Sequence, residues 1–171
     1  MIKTKPLLIK ILFSFIVLST VNSYAYKGKY FNQTDPKGWI NQPADGFNYA
    51  FLASVAFGQQ APIFTSMTLE KDLSKENKKS FLEKSLKSGF IDKTNFNFLP
   101  ANAPKSVNLS VNFQYVLKEF SYNENGKPFK GLALIISHNK VYHYFQFTAS
   151  SDSYSFYLKD IVQSLESIKI L

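Results

Sequence analysis

Few side chains in this chain could do chemistry, and the most conspicuous is a histidine. The stretch "NKVYHYFQFTASS", residues 139–151, sets His143 among four aromatic residues, and the chain has one other histidine, His138. A lone histidine lacks the second group that a nucleophile–base pair needs. Metal sites need three or four converging ligands. The two histidines are five residues apart across a strand end. The expectation is that they project to opposite faces and cannot chelate together. His143 shares a strand face with Val141, Phe145 and Phe147, so it reads as a buried, neutral core histidine. His138, in the "SHNK" turn, reads as exposed.

The carboxylates do not supply what the histidines lack. The 12 acidic residues are scattered, mostly among lysines. No D-x-D-x-D, H-E-x-x-H or G-x-S-x-G run occurs, nor the G-x-x-x-x-G-K of a phosphate loop. With no cysteine, thiol catalysis, thiolate zinc and covalent haem attachment are excluded. The expectation is a non-enzymatic protein with no cofactor and no assignable catalytic or metal-ligating residue. All 20 basic residues are lysine. Nucleic-acid readers lean on the bidentate arginine fork, so no nucleic acid is expected. The net charge of +8 leaves room for weak contact with an anionic membrane surface.

The N-terminus speaks to location. Lys3, Lys5 and Lys10 precede an apolar run from Ile11 to Leu18, and Ser23 and Ala25 follow at small-residue spacing. This is the order of a secretory signal peptide, residues 1–25, cleaved between Ala25 and Tyr26. The run is short of the ~20 residues that span a bilayer. A periplasmic or secreted monomer is expected. Residues 26–37 read as a polar leader, and residues 38–171 as a single domain large enough to hold its own core.

The elements that would position any site follow from periodicity. Alternation at Phe47, Tyr49, Phe51, Ala53, Val55 and Phe57, then at Ile63, Thr65, Met67 and Leu69, predicts an antiparallel hairpin over 47–57 and 63–70. "DLSKENKKSFLEKSLKSG" predicts a lysine-rich helix, with Ser74 as N-cap, Gly89 at its end, and Leu73, Phe81, Leu82 and Leu86 as its apolar stripe. Residues 90–106 read as a loop. Val107 to Leu117 reads as a strand with one buried and one wet face. Asn125-Gly126 predicts a tight turn. "FKGLALIIS" reads as a central strand and "VYHYFQFTA" as its partner. The last segment is a helix capped by Asp152 or Ser153, with Tyr154, Tyr157, Leu158, Ile161, Leu165 and Ile168 on its core face. This order predicts an α+β domain on an antiparallel sheet of about five to six strands.

Two binding surfaces are conceivable on such a sheet. An envelope protein could dock on the wet face (Asn112, Gln114, Tyr142, Tyr144) or on the lysine helix. In the alternative reading, Tyr142 and Tyr144 lie under a packed helix. A small apolar or lipid ligand could instead be held between the aromatic sheet and a helix.

The element order resembles that of the PsbP-like superfamily, which includes the periplasmic DcrB-like proteins. The residues that carry the resemblance are "FQFTASSDSYSFYLKDIVQSL", with Ile161, Val162, Ser164 and Leu165 in the final helix, and the opening "GWINQPADGF". The resemblance spans most of residues 38–169. It implies an α/β/α arrangement, an exported address and an accessory or binding role, and it carries no catalytic residues.

Overall fold

The computed structural model of the protein describes residues 25–55, 60–70, 77–100, 107, 109, 114–138 and 140–171. The signal-peptide reading falls on residues outside this set, apart from Ala25. The expected Ser74 cap, Leu73 and Asn112 also lie outside it.

The centre is an antiparallel meander. It is built by β7 (Gln114–Glu124), β8 (Lys127–His138) and β9 (Val141–Ser150). Asn125 and Gly126 both take positive φ (51° and 75°), the conformation of a two-residue type I′ hairpin turn. β8 is apolar on both faces because both faces are covered. Leu132, Leu134 and Ile136 face one layer, and Ala133 and Ile135 face the other. Gly131 lies under the Phe120 ring, and a Cβ there would sit 2.2 Å from it. Glycine thus lets an aromatic ring lie flat on the strand.

β4 (Tyr49–Ala53) and β5 (Ile63–Leu69) form the expected antiparallel pair, shorter than the periodicity suggested. β5 joins β9, with Thr65 opposite Gln146 and Thr68 opposite His143. Two edge strands extend the sheet: β3 (Trp39–Gln42) beside β4, and β6 (Thr94–Phe98) beside β7. The full order is β3-β4-β5-β9-β8-β7-β6. The sheet thus exceeds the expected five to six strands. Edge strands pair on one side only, so "WINQ" needs no apolar alternation. In the presumed loop, Phe96 and Phe98 alternate inward, and the register shifts between Thr94 and Asn97.

The polar-leader reading is corrected. β1 (Ala25–Lys27), β2 (Phe31–Thr34) and β10 (Lys169–Ile170) form a second, three-stranded sheet that packs into the core. Phe31 is 1% exposed and Gln33 2%. A buried glutamine is tolerated because its amide is used at both ends. Gln33 Oε1 accepts from the Tyr49 hydroxyl at 2.5 Å, and Gln33 Nε2 donates to Ser164 Oγ at 2.9 Å. Ser164 Oγ in turn donates to the Thr34 carbonyl.

One helix covers each face of the large sheet. α2 (Ser151–Glu166) buries Tyr154, Ile161 and Leu165 against β8 and β9, and the small sheet covers the same face beside it. Its N-cap is Ser150, two or three residues before the Asp152 or Ser153 expected; Asp152 lies in the first turn. On the opposite face α1 (Lys78–Gly89) buries Leu82 and Leu86 among Phe120, Tyr122, Phe129 and Ile135. Its cap is Asn77, whose Oδ1 accepts from the N–H groups of Lys79 (3.0 Å) and Ser80 (3.2 Å). The expected wet face of β7 is therefore covered in part: Val116, Phe120 and Tyr122 point toward α1.

Candidate functional site

α1 is too small for the face it covers. Its 12 residues run ~18 Å, and its diameter shields roughly two strands of a sheet ~29 Å wide. It sits over β7 and β8, so the same face of β5 and β9 is left partly open. There the structure has a cleft of about 330 Å³.

The floor of the cleft comes from strand alternation. β5 contributes Ile63, Thr65, Met67 and Leu69, and β9 contributes Tyr144, Gln146 and Thr148. The wall comes from helix periodicity. α1 carries two adjacent i, i+4, i+8 stripes. Leu82, Leu86 and Phe90 fill the core, whereas Phe81, Ser85 and Gly89 face the cleft. Serine and glycine leave open the space that larger side chains would take. Phe47, 40% exposed, forms part of the rim.

Some of the cleft's polar groups bond within it. The Tyr144 hydroxyl donates to Gln146 Oε1 at 2.5 Å, and the Thr65 hydroxyl reaches the Gln146 carbonyl at 3.5 Å. Burial pushes the Tyr144 phenol well above its ordinary range, so it stays a neutral donor. The result is a mostly apolar surface with few polar handles, the usual composition of a small-molecule site.

The residues singled out in the sequence fall elsewhere or in part here. Tyr142 is buried beneath Phe81 of α1, so it offers no wet docking face; Tyr144 lines the cleft; Gln114 is exposed and accepts from Lys78 Nζ. His143 is 1% exposed, on the α2 face with Phe145 and Phe147. The edge of its ring meets Phe31 at 5.2 Å between centroids. Its Nδ1 lies 3.1 Å from Thr68 Oγ1, which also accepts from Asn48 Nδ2 at 2.8 Å. The Thr68 hydroxyl and His143 Nδ1 thus share one hydrogen bond, whose donor is set by the ring tautomer. Burial, with a smaller contribution from His138, lowers the His143 pKa to about 4.

One expectation about the histidines is reversed. Ile136 pairs with His143, and His138 with Val141, so both imidazoles lie on the same face, diagonally across the β8–β9 hairpin. The parity changes because only two residues intervene between the strands. Among the described residues, no three His, Asp or Glu side chains come together in a group that could hold a metal.

Of the cleft residues, the sequence marks Gly89 only as the end of the helix and assigns Ser85 and Gln146 no role. The available signal was the pair of small residues four apart, beside the Leu82–Leu86 stripe.

No protein-family model matches the chain, and no curated protein matches it in sequence. Solved structures do match in fold. LpqN of Mycobacterium tuberculosis, described as involved in cell envelope biogenesis, superposes with a TM-score of 0.59 at 13% identity, over 82% of each chain. Cyanobacterial PsbP (CyanoP) from Synechocystis sp. PCC 6803 gives 0.58 at 11% identity, over 86% of this chain and 92% of that one. A Pseudomonas aeruginosa protein of unknown function, PA94, gives 0.51 at 11% identity, over 84% and 94%. The likeness is one of architecture: the chain has a PsbP-like α+β fold.

Proposed function

We propose that this protein is an exported, non-enzymatic accessory protein of the cell envelope that holds a small apolar ligand between α1 and the β5–β9 face of its sheet. The observation that carries this reading is the cleft lined by Ile63, Met67, Leu69, Phe81 and Tyr144. Its volume of about 330 Å³ lies at the low end of the range for ligand sites, roughly 300–1,000 Å³. The export component is supported by the lysine, apolar and small-residue order of residues 3–25. Among the described residues no helix is long and apolar enough to cross a membrane. The envelope component is supported by the fold shared with LpqN.

Binding can be tested with a neutral fluorophore, 1-aminoanthracene, titrated into the purified protein. Saturable binding is expected. Met67→Trp, which fills the cleft from its floor, should abolish it with thermal stability retained. Absence of saturable binding, or binding indifferent to Met67→Trp, would overturn the reading.

A further inference from the structure

A second, more polar recess, lined by Asn77, Ser80, Phe81 and Lys84, adjoins the cleft at Phe81, which lines both. The charges of α1 are divided between its two flanks. Lys78 reaches toward β7, donating to Gln114. Glu83 pairs with Lys118 of β7 at 3.0 Å, and Lys87 lies over the Phe98 ring of β6 at 5.8 Å. Lys118, and with it Lys79 and Lys87, hold the Glu83 carboxyl below its ordinary range, so these lysines gather on the β6–β7 flank. Lys84 is different. It stands one turn from Phe81 on the cleft flank and is exposed, and no carboxylate lines either recess among the described residues.

Building on the apolar-cleft reading, the geometry points to an anionic single-chain amphiphile, a long-chain fatty acid, as the occupant. Its alkyl chain lies over Ile63, Met67 and Leu69, and its carboxylate lies in the polar recess beside the Lys84 ammonium and the Ser80 hydroxyl. Charge complementarity sets the polarity of the head group. The small volume of the cleft suits one chain rather than two.

The test compares dodecanoate, dodecanol and dodecyltrimethylammonium, each below its micellar concentration, by calorimetric titration into the purified protein. Dodecanoate should bind about threefold to fivefold more tightly than dodecanol, the scale of one exposed ion pair. The cation should bind most weakly. Added salt should narrow the difference. Lys84→Glu should weaken dodecanoate at least about fivefold and leave dodecanol unchanged; Lys84 is exposed, so an unchanged melting temperature confirms the fold. Equal affinity for dodecanoate and dodecanol, or an equal effect of Lys84→Glu on both, would overturn the head-group assignment and leave the apolar cleft standing. Failure of all three to bind would overturn both.

Discussion

Replacing Ser164 by alanine tests whether the N-terminal strands belong to the fold. Ser164 is 3% exposed and ties α2 to β2. Its hydroxyl accepts from Gln33 Nε2 at 2.9 Å and donates to the Thr34 carbonyl at 2.5 Å. Alanine removes both partners at once and introduces no new bulk. A buried donor or acceptor left unsatisfied costs about 1–3 kcal/mol. Two such groups are orphaned, so Ser164→Ala should cost about 2–4 kcal/mol, allowing for some entry of water. A typical domain has only about 5–15 kcal/mol in total. In urea denaturation, with a slope of about 1–3 kcal/mol per molar, the midpoint should fall by about 1–2 M. Gln33→Leu should cost less in the Ser164→Ala background than in the wild type, because the Gln33–Ser164 bond is already gone there while the loss of the Tyr49 hydroxyl's acceptor is common to both. The double-mutant cycle should show a coupling of about 1–2 kcal/mol. If residues 26–37 were a detached leader, Ser164→Ala would behave as a surface change, within about 0.5 kcal/mol, and the coupling would vanish. Either result would refute the integrated small sheet.

Three further outcomes are expected. His143 has a folded pKa near 4 against an ordinary value of 6.5, so the unfolded chain takes up its proton first. Its contribution is fully present above about pH 6.5 and declines as the pH falls toward 4. About 2 kcal/mol should be lost between pH 7.5 and 5 in the wild type, and that component should be absent in His143→Gln, as read from unfolding curves at each pH. Ile161 is fully buried, so Ile161→Asp should unfold the protein by circular dichroism, whereas exposed Lys79→Glu should stay within about 0.5 kcal/mol of wild type. The Tyr26 N–H donates to Asp35 Oδ1 at 3.0 Å. A chain beginning at Tyr26 would present an ammonium there, and it should be about 0.5–1 kcal/mol more stable with a free amine than N-acetylated, a difference that Asp35→Asn removes.

The elements whose patterns are strongest were legible without any structure. Asn125-Gly126 specified its turn by backbone chemistry alone. The alternation of Phe145 and Phe147 specified a strand, and the spacing of Tyr154, Ile161 and Leu165 specified a helix with one buried face, although Ile168, expected on that face, lies past the helix end at Ser167. These signals are local, because covalent geometry converts residue spacing directly into direction. Three features were decided only by tertiary packing. "YKGKYFNQTDPK" looks polar, yet Gln33 is buried because Tyr49 and Ser164, distant in sequence, complete its hydrogen bonds. The two histidines share a face because the β8–β9 register, not their separation in sequence, sets their parity. The cleft exists because a 12-residue helix seats its Leu82–Leu86 stripe over β7 and β8 and turns Ser85 and Gly89 toward β5 and β9. Each residue in that cleft follows its own local period. The empty space between them depends on where two rigid surfaces of unequal width come to rest, and no local pattern encodes that.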